Sequence, residues 1–199
     1  KRGEYIMAVD WGRKEDDTVV LVARTDQRPA QLVFAKSMGG WEINWDDIYH
    51  VVAQAHYDYN NAYMLVDSTG QAGDIHLQTL ANSHGIRRME GYQFGGSRAR
   101  KDDLITAGQR ALQSRWIMWP YLAPLYDQLA FYDRDDKRLE TDWAMTWCLL
   151  AMCYQNQAWA EEETEVYTTA YAQTIATPGV MQPLGGPMER LLNDHYSAN

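Results

Sequence analysis

The stretch YIMAVDWGRKEDDTVVLVA, residues 5–23, contains two apolar runs on either side of a short polar connection. Apolar runs of this length, rich in β-branched residues and bounded by turn-forming residues, predict two buried antiparallel strands. The first run ends in an acid, Asp10. Burying an unpaired carboxylate costs several kcal/mol, so its position at the end of a buried strand needs an explanation.

The rest of the sequence predicts one α/β domain. A third strand is expected over residues 31–36, which completes an antiparallel meander with strands at 5–10 and 18–24. A helix, the strand AYMLVD, a second helix that ends before Gly85, the strand IRRMEGYQF and a helix over 101–115 follow. Next come the extended segment WIMWP, the short helix APLYDQLAFY, a hairpin in FYDRDDKRLE and the long helix TDWAMTWCLLAMCYQNQAWA. This order predicts a mixed sheet, three antiparallel strands and then parallel strands, flanked by helices.

Composition and charge narrow the class of protein. The chain has 199 residues, of which 46% are hydrophobic, enough for a domain with its own core. Apolar runs stay well short of the roughly 20 residues of a membrane span, so no membrane partner is expected. The net charge of −9 argues against a protein that coats DNA by charge alone, but suits a site whose acids bind cations. Cys148 and Cys153 are predicted to be buried thiols, and the five histidines show no metal-ligand spacing.

Three acids stand at element ends. Asp10 ends the first strand, Asp67 ends the fourth, and Asp142 opens the last long helix. If the first and fourth strands are neighbours, the carboxyl ends of both meet at one edge, and a helix across that edge adds the third acid. Mutual repulsion among three carboxylates is reversed by a divalent cation, and oxygen ligands suit Mg²⁺ or Mn²⁺. Each acid alone also fits a local role, as a turn residue or at a helix N-terminus.

Four stretches resemble, in the right order, the nuclease domain of the large terminase subunit of tailed bacteriophages, an RNase H-like family. The stretches are MAVDWGRKEDDTVVLVA, YMLVDSTGQAGDIHLQTL, GYQFGGSRARKDDLITAGQRALQSRWIMWP and PLYDQLAFYDRDDKRLETDWAMTWCLLAMC. They cover roughly residues 5–154 and share an Asp in a D-x-G turn, an Asp in a D-S/T-x-G turn and an Asp at the start of the last helix. Lys101 and Pro120 match the family's helix-opening lysine and the proline that ends a short segment.

The resemblance implies a two-metal site. Asp10, Asp67 and Asp142 become the catalytic residues and the ligands of two Mg²⁺ or Mn²⁺ ions. Asp16 is a further candidate ligand, and Asp17 competes with it for that role. Glu140 occupies a position where many relatives carry a histidine, so it is either an outer-shell ligand or the end of a strand.

The resemblance also implies a function and a domain division. Residues 1–160 would form the RNase H-like nuclease domain, and residues 161–199 a partly irregular C-terminal extension packed on it or following it. The implied activity is endonucleolytic cleavage of double-stranded viral DNA with little sequence specificity during genome packaging. Arg98, Arg100 and Lys101 would bind phosphates, with a solvated helix start as the alternative for the two arginines.

The implied partners are those of a packaging motor. No G-x-x-x-x-G-K-[ST] loop occurs, and the sequence begins without methionine, so an N-terminal ATPase motor domain is expected elsewhere in a longer protein. The portal protein and the small terminase subunit are the other implied partners, in the host cytoplasm and transiently at the procapsid.

Three other interpretations stay open from the sequence. One is another RNase H-like nuclease, such as a Holliday-junction resolvase or a transposase catalytic domain, with the same acids. Another is the actin and sugar-kinase ATPase family, because AVDWG resembles its first phosphate loop, although that fold needs about twice this length. The third is a binding module without nuclease activity, whose acids are only structural.

Overall fold

The computed structural model describes residues 1–12, 16–39, 44–94, 98–132 and 141–157. These residues lie in a compact unit that spans Lys1–Trp159. The C-terminal extension, most of the hairpin in FYDRDDKRLE, and Glu140 fall outside the described residues. The predicted domain division and the role of Glu140 therefore stay predictions.

In the described part of the chain, six strands form one mixed sheet with the order β5-β4-β1-β2-β3-β6. The strands are β1 (Tyr5–Asp10), β2 (Thr18–Arg24), β3 (Ala30–Met38), β4 (Tyr63–Asp67), β5 (Met89–Tyr92) and β6 (Ile117–Met118). The first three are antiparallel, β4 pairs in parallel with β1, β5 with β4, and β6 with β3. The predicted mixed sheet is confirmed.

Five helices in the described residues flank this sheet. They are α1 (Trp45–Asp58), α2 (Gly70–Ser83), α3 (Arg98–Gln113), α4 (Ala123–Ala130) and α5 over residues 142–157. Strand β3 is longer than the predicted strand over residues 31–36. It begins at Ala30, which pairs with Ile117, and ends at Met38, which pairs with Thr18. None of the helices in the described residues is long and apolar enough to cross a membrane.

The strands at the centre of the sheet are covered on both faces. Every residue of β1 is buried, and successive side chains enter two separate clusters. One cluster contains Ile6 and Ala8 together with residues of α3, α4 and α5, and the other contains Met7 and Val9 together with residues of α1 and α2. This double burial explains why β1 reads as a continuous apolar run rather than an alternating one.

Helix α5 packs closely against α3. Trp147 is fully buried, and its indole N–H donates to the carbonyl of Gly108 at 3.3 Å. A Cβ atom at Gly108 would lie 2.5 Å from the sulfur of Cys148, so glycine is what lets the two helix backbones approach. Cys148 and Cys153 are buried free thiols, as predicted, and burial raises the pKa of each to about 12. The α3–α5 contact fixes the axis of the helix that carries Asp142.

Candidate active site

Asp10 and Asp67 lie side by side at one edge of the sheet. They end β1 and β4, and the pairing of Val9 with Val66 places the next residue of each strand at the same level. Because the two strands are parallel, both carboxyl ends face the same edge. The structure therefore brings together the first two acids that the sequence singled out.

Asp142 and Asp16 complete the acidic group. Asp142 is the first residue of α5, and its Oδ2 accepts a hydrogen bond from the backbone N–H of Asp17 at 3.0 Å. The charges of Asp67, Asp142 and Asp16 all act on the carboxyl group of Asp10. The other two predicted catalytic acids, and the candidate fourth ligand, thus lie within electrostatic range of Asp10 at the end of β1.

The carboxyl group of Asp10 is held in an environment that disfavours its charge. Only 9% of its surface is exposed. Burial raises the pKa of Asp10 well above its usual range, and the neighbouring charges of Asp67 and Asp142, then of Asp16, raise it further. The backbone N–H of Trp11 donates to the carboxylate and lowers the pKa in part. A cation at this edge of the sheet would reverse the repulsion.

The donor set fits a hard divalent cation by ligand type and by charge, although its oxygens do not already converge. Among the described residues, no group of three or more His, Cys, Asp or Glu side chains is close enough together to hold a metal ion. Asp67 Oδ1 accepts the backbone N–H of Thr69 at 2.8 Å, as Asp142 Oδ2 accepts that of Asp17. Carboxylate oxygens are the ligands that Mg²⁺ and Mn²⁺ prefer. The assignment of metal ligands stays a prediction.

The two adjacent acids Asp16 and Asp17 differ in their contacts. The carboxylate of Asp17 accepts a hydrogen bond from the hydroxyl of Ser37 on β3, and its backbone N–H holds Asp142. Asp16 is exposed, and its charge acts on Asp10. Asp17 therefore orients another acid of the site, and Asp16 remains the better candidate for a further ligand.

The predicted phosphate-binding residues lie in the first turn of α3, near the same edge. Tyr92 pairs with Asp67 across β5 and β4, and its hydroxyl donates to the carbonyl of Arg100 at 3.0 Å. This bond ties the start of α3 to the carboxyl end of β5. The side chains of Arg98 and Arg100 are exposed and that of Lys101 is half-buried. Their contact with DNA stays a prediction.

Sequence reasoning missed an aromatic cluster beside Asp10. The rings of Trp11 and His76 stack with centroids 4.6 Å apart, and the ring centroid of Trp45 lies 4.5 Å from that of His76. The hydroxyl of Tyr49 lies 2.7 Å from His76 Nδ1. The cluster anchors Trp11, the residue that follows Asp10 and whose backbone lowers the pKa of Asp10. The only sequence signal was the tryptophan adjoining Asp10, since α1 and α2 supply the other members.

Sequence reasoning also missed Gln128 of α4. Its Oε1 accepts hydrogen bonds from the backbone N–H groups of Trp143 and Ala144, at 2.8 and 3.2 Å. These two residues follow Asp142 directly in the first turn of α5. No local pattern could identify this contact, because it depends on how α4 packs against α5.

The raised pKa of Asp10 predicts how stability depends on pH. Between about pH 4, near the unfolded-state pKa, and the raised pKa of the folded state, the folded protein binds more protons than the unfolded chain. The metal-free protein is therefore expected to lose stability as pH rises through this window. Urea unfolding in EDTA at about pH 5 and about pH 8 measures the change. Asp10→Asn should flatten the profile, and a stability of the original protein that rises across the window would contradict the assignment.

Comparison with solved structures identifies the fold. The large terminase nuclease of thermophilic phage G20c with bound zinc superposes with a TM-score of 0.63 and 22% identity, over 74% of this chain and 79% of that chain. The same nuclease with bound magnesium gives 0.62 and 20%, over 75% and 80%. The large terminase nuclease domain of Thermus phage P74-26 gives 0.62 and 20%, over 74% and 77%. No family model and no curated protein matches the sequence. The chain has the RNase H-like fold of large terminase nuclease domains, which confirms the resemblance at the level of fold.

Proposed function

We propose that this protein is a metal-dependent endonuclease that hydrolyses double-stranded DNA with little sequence specificity. The observation that supports it best is the buried Asp10 carboxyl group with Asp67, Asp142 and Asp16 around it, at one edge of this sheet. A purely structural role gives no reason to gather four acids, because their repulsion destabilises the folded state. Cation binding gives such a reason.

Asp10, Asp67 and Asp142 are the residues that would hold two Mg²⁺ or Mn²⁺ ions, with Asp16 as the further candidate. Such ions, when bound, stabilise negative charge on a phosphate and lower the pKa of water. The related G20c nuclease was solved with bound zinc and with bound magnesium. Asp10 would be the central acid of this set, since the charges of both Asp67 and Asp142 act on its carboxyl group.

The other residues of the site orient the acids and hold the substrate. The backbone N–H of Asp17 fixes the carboxylate of Asp142, and the backbone of Trp11 favours the charged form of Asp10. Arg98, Arg100 and Lys101 would bind phosphates of the DNA next to the acids. Because the chain carries a net charge of −9, these local cations are needed to offset repulsion of the DNA backbone.

We also propose that the protein is the nuclease part of a large terminase subunit and cuts viral DNA during genome packaging. Its partners would then be an ATPase motor domain in the same full-length protein, the portal protein and the small terminase subunit. This would take place in the host cytoplasm, at the procapsid. The shared fold and the site acids support this proposal, which goes further than the fold itself.

Cleavage of supercoiled plasmid with Mn²⁺, Mg²⁺ or EDTA tests the proposed activity. We expect nicking and linearisation with either metal and none in EDTA. Asp67→Asn and Asp142→Asn should each abolish cutting, because each loses a ligand charge. Asp74→Asn is the matched control, since it makes the same chemical change at an exposed position of α2 and should cut normally.

Two results would contradict the proposal in different ways. Cutting in EDTA, or undiminished cutting by both ligand variants, would exclude a metal-dependent site at these acids. A strong preference for a four-way junction over linear duplex of the same sequence would instead favour a resolvase. Scattered cleavage positions on an end-labelled linear duplex are expected from low sequence specificity.

A further inference from the structure

The start of α5 is held by a neighbouring helix. The first amides of a helix have no partner within the helix, and a side chain just before the helix usually supplies one. In α5 the amides of Trp143 and Ala144 instead donate to Oε1 of Gln128, at 2.8 and 3.2 Å. Thr141 contributes its backbone carbonyl, which accepts from Met145 at 2.8 Å. The cap of the helix that carries Asp142 is therefore a residue of α4.

Helix α4 is well placed to act as a support. Leu125, one turn before Gln128, is fully buried in the same core cluster as Trp147 and Leu150 of α5. Pro124 lies in the first turn of α4, where its fixed φ angle favours the helix. Gln128 itself is half-buried, so its amide has little freedom to leave the α5 amides.

The chemistry of glutamine suits this place. A carboxylate is the stronger acceptor at a helix N-terminus, because it also interacts with the helix dipole. Here it would add a further negative charge beside Asp142, next to Asp10 and Asp67. A neutral amide oxygen satisfies the helix amides without adding to that repulsion.

The side chain of Asp142 is held by a different part of the chain from the one that caps its helix. Its Oδ2 accepts the N–H of Asp17, whose carboxylate is in turn held by the hydroxyl of Ser37. Asp17 thus orients the carboxylate, whereas Gln128 acts on the backbone from which that side chain projects. The hydrogen bond to the carboxylate comes from the β1–β2 connection, and the hydrogen bonds to the helix backbone come from α4.

We infer that Gln128 is a positioning residue for Asp142, acting through the first turn of α5. The inference rests on the proposed function, in which Asp142 binds a divalent cation. Partners that orient metal ligands without touching the metal typically contribute about 10- to 100-fold to metal affinity or activity. A change of that size is expected when the Gln128 acceptor is removed.

The test compares Gln128→Met, which keeps the length of the side chain but removes the acceptor, with Gln109→Met at an exposed position of α3. Amide hydrogen exchange at Trp143 and Ala144 measures the cap. The Mn²⁺ concentration at half-maximal thermal stabilisation measures positioning, and plasmid cleavage separates kcat from KM. We expect Gln128→Met to exchange faster at both amides, to need about 10-fold more Mn²⁺ or greater, and to lose kcat with little change in KM. Gln109→Met should match the original protein.

Gln128→Glu and Gln128→Asn complete the series. Glutamate keeps the acceptor, so the two amides should stay protected from exchange. Because its charge affects cation binding directly, this variant is compared by amide exchange alone and not by its Mn²⁺ midpoint or cleavage rate. Asparagine is one methylene shorter and should behave as Gln128→Met does, and it replaces that variant if Gln128→Met fails to fold.

The outcomes separate this inference from the proposed function. Unchanged exchange, or faster exchange with an unchanged Mn²⁺ midpoint, overturns the positioning role. If Asp142→Asn at the same time loses Mn²⁺ stabilisation and cleavage, the proposed function stands without it. If the original protein shows neither Mn²⁺ stabilisation nor cleavage, the proposed function fails and the positioning of a cation ligand fails with it.

Discussion

Asp10→Asn is expected to abolish DNA cleavage and, at the same time, to stabilise the metal-free protein. Loss of the proposed ligand carboxylate should reduce the rate by about 1000-fold or more, since metal-ion catalysis contributes several kcal/mol and each tenfold step is about 1.4 kcal/mol. The asparagine side chain has nearly the same shape as the aspartate side chain and carries no charge. It removes a buried charge that lies near Asp67 and Asp142, so the folded state gains stability.

Two measurements check this pair of effects. Initial rates on supercoiled plasmid in Mn²⁺ give the loss of activity, and melting temperatures in EDTA and in Mn²⁺ give the change in stability. Asp74→Asn on the exposed side of α2 is again the control, and should leave both values unchanged. A variant that cuts at the original rate, or that melts below the original protein in EDTA, would show that Asp10 is not the charge-bearing centre of the site.

Trp147→Ala is expected to cost about 3–5 kcal/mol of unfolding free energy. The side chain is fully buried in α5, stands 4.5 Å from the ring centroid of Trp119, and donates to the carbonyl of Gly108. Truncation leaves a cavity between the sheet and the helices and removes the indole hydrogen bond. Small domains have only about 5–15 kcal/mol of total stability, so a large fraction would be lost.

Urea unfolding monitored by far-UV circular dichroism measures this loss. Trp147→Phe should lie between the original protein and the alanine variant, because it fills part of the cavity without restoring the hydrogen bond. Tyr121→Ala is the contrasting variant: its side chain is 75% exposed, and the expected change is within about 0.5 kcal/mol. Equal losses for Trp147→Ala and Tyr121→Ala would contradict the described packing of α5.

Much of the sheet and the meeting of two acids were predictable from local patterns. The apolar runs that end in Asp10 and Asp67 give strand positions directly, and a helix between β3 and β4 allows β4 to join the sheet in parallel. Parallel pairing then places the ends of β1 and β4 together. The sequence also marked Asp142 at the start of the last long helix, but its role as a ligand beside the other two was implied by the family resemblance, since its distance from the strands in sequence carries no geometric information.

What the sequence could not predict depends on contacts between distant elements. Gln128 has no feature that distinguishes it from other glutamines until α4 packs beside α5. Asp16 and Asp17 are adjacent acids, and the bonds of Asp17 to Ser37 and Asp142, together with the charge of Asp16 acting on Asp10, show that they differ in role. Helix α3 runs from Arg98 to Gln113, so it begins three residues before the predicted helix over 101–115 and ends two residues before its predicted end.

Strand β1 is central in the sheet and covered on both faces, so the acids of the site differ in how stable the backbone around each of them is. Opening free energies are highest in core strands and lowest at element ends and connections. Asp10 is the last residue of β1 but still pairs with Val19, so its backbone is expected to open less readily than that of Asp16, in a connection, or of Asp142, at a helix end. Cation binding should therefore reduce conformational entropy mainly around Asp16 and Asp142, because the backbone of β1 is already well ordered before the cation binds. Added Mn²⁺ is accordingly expected to slow amide exchange around residues 16–17 and 142–144 by suppressing local opening, and to slow exchange within β1 only as far as it raises the global free energy of unfolding.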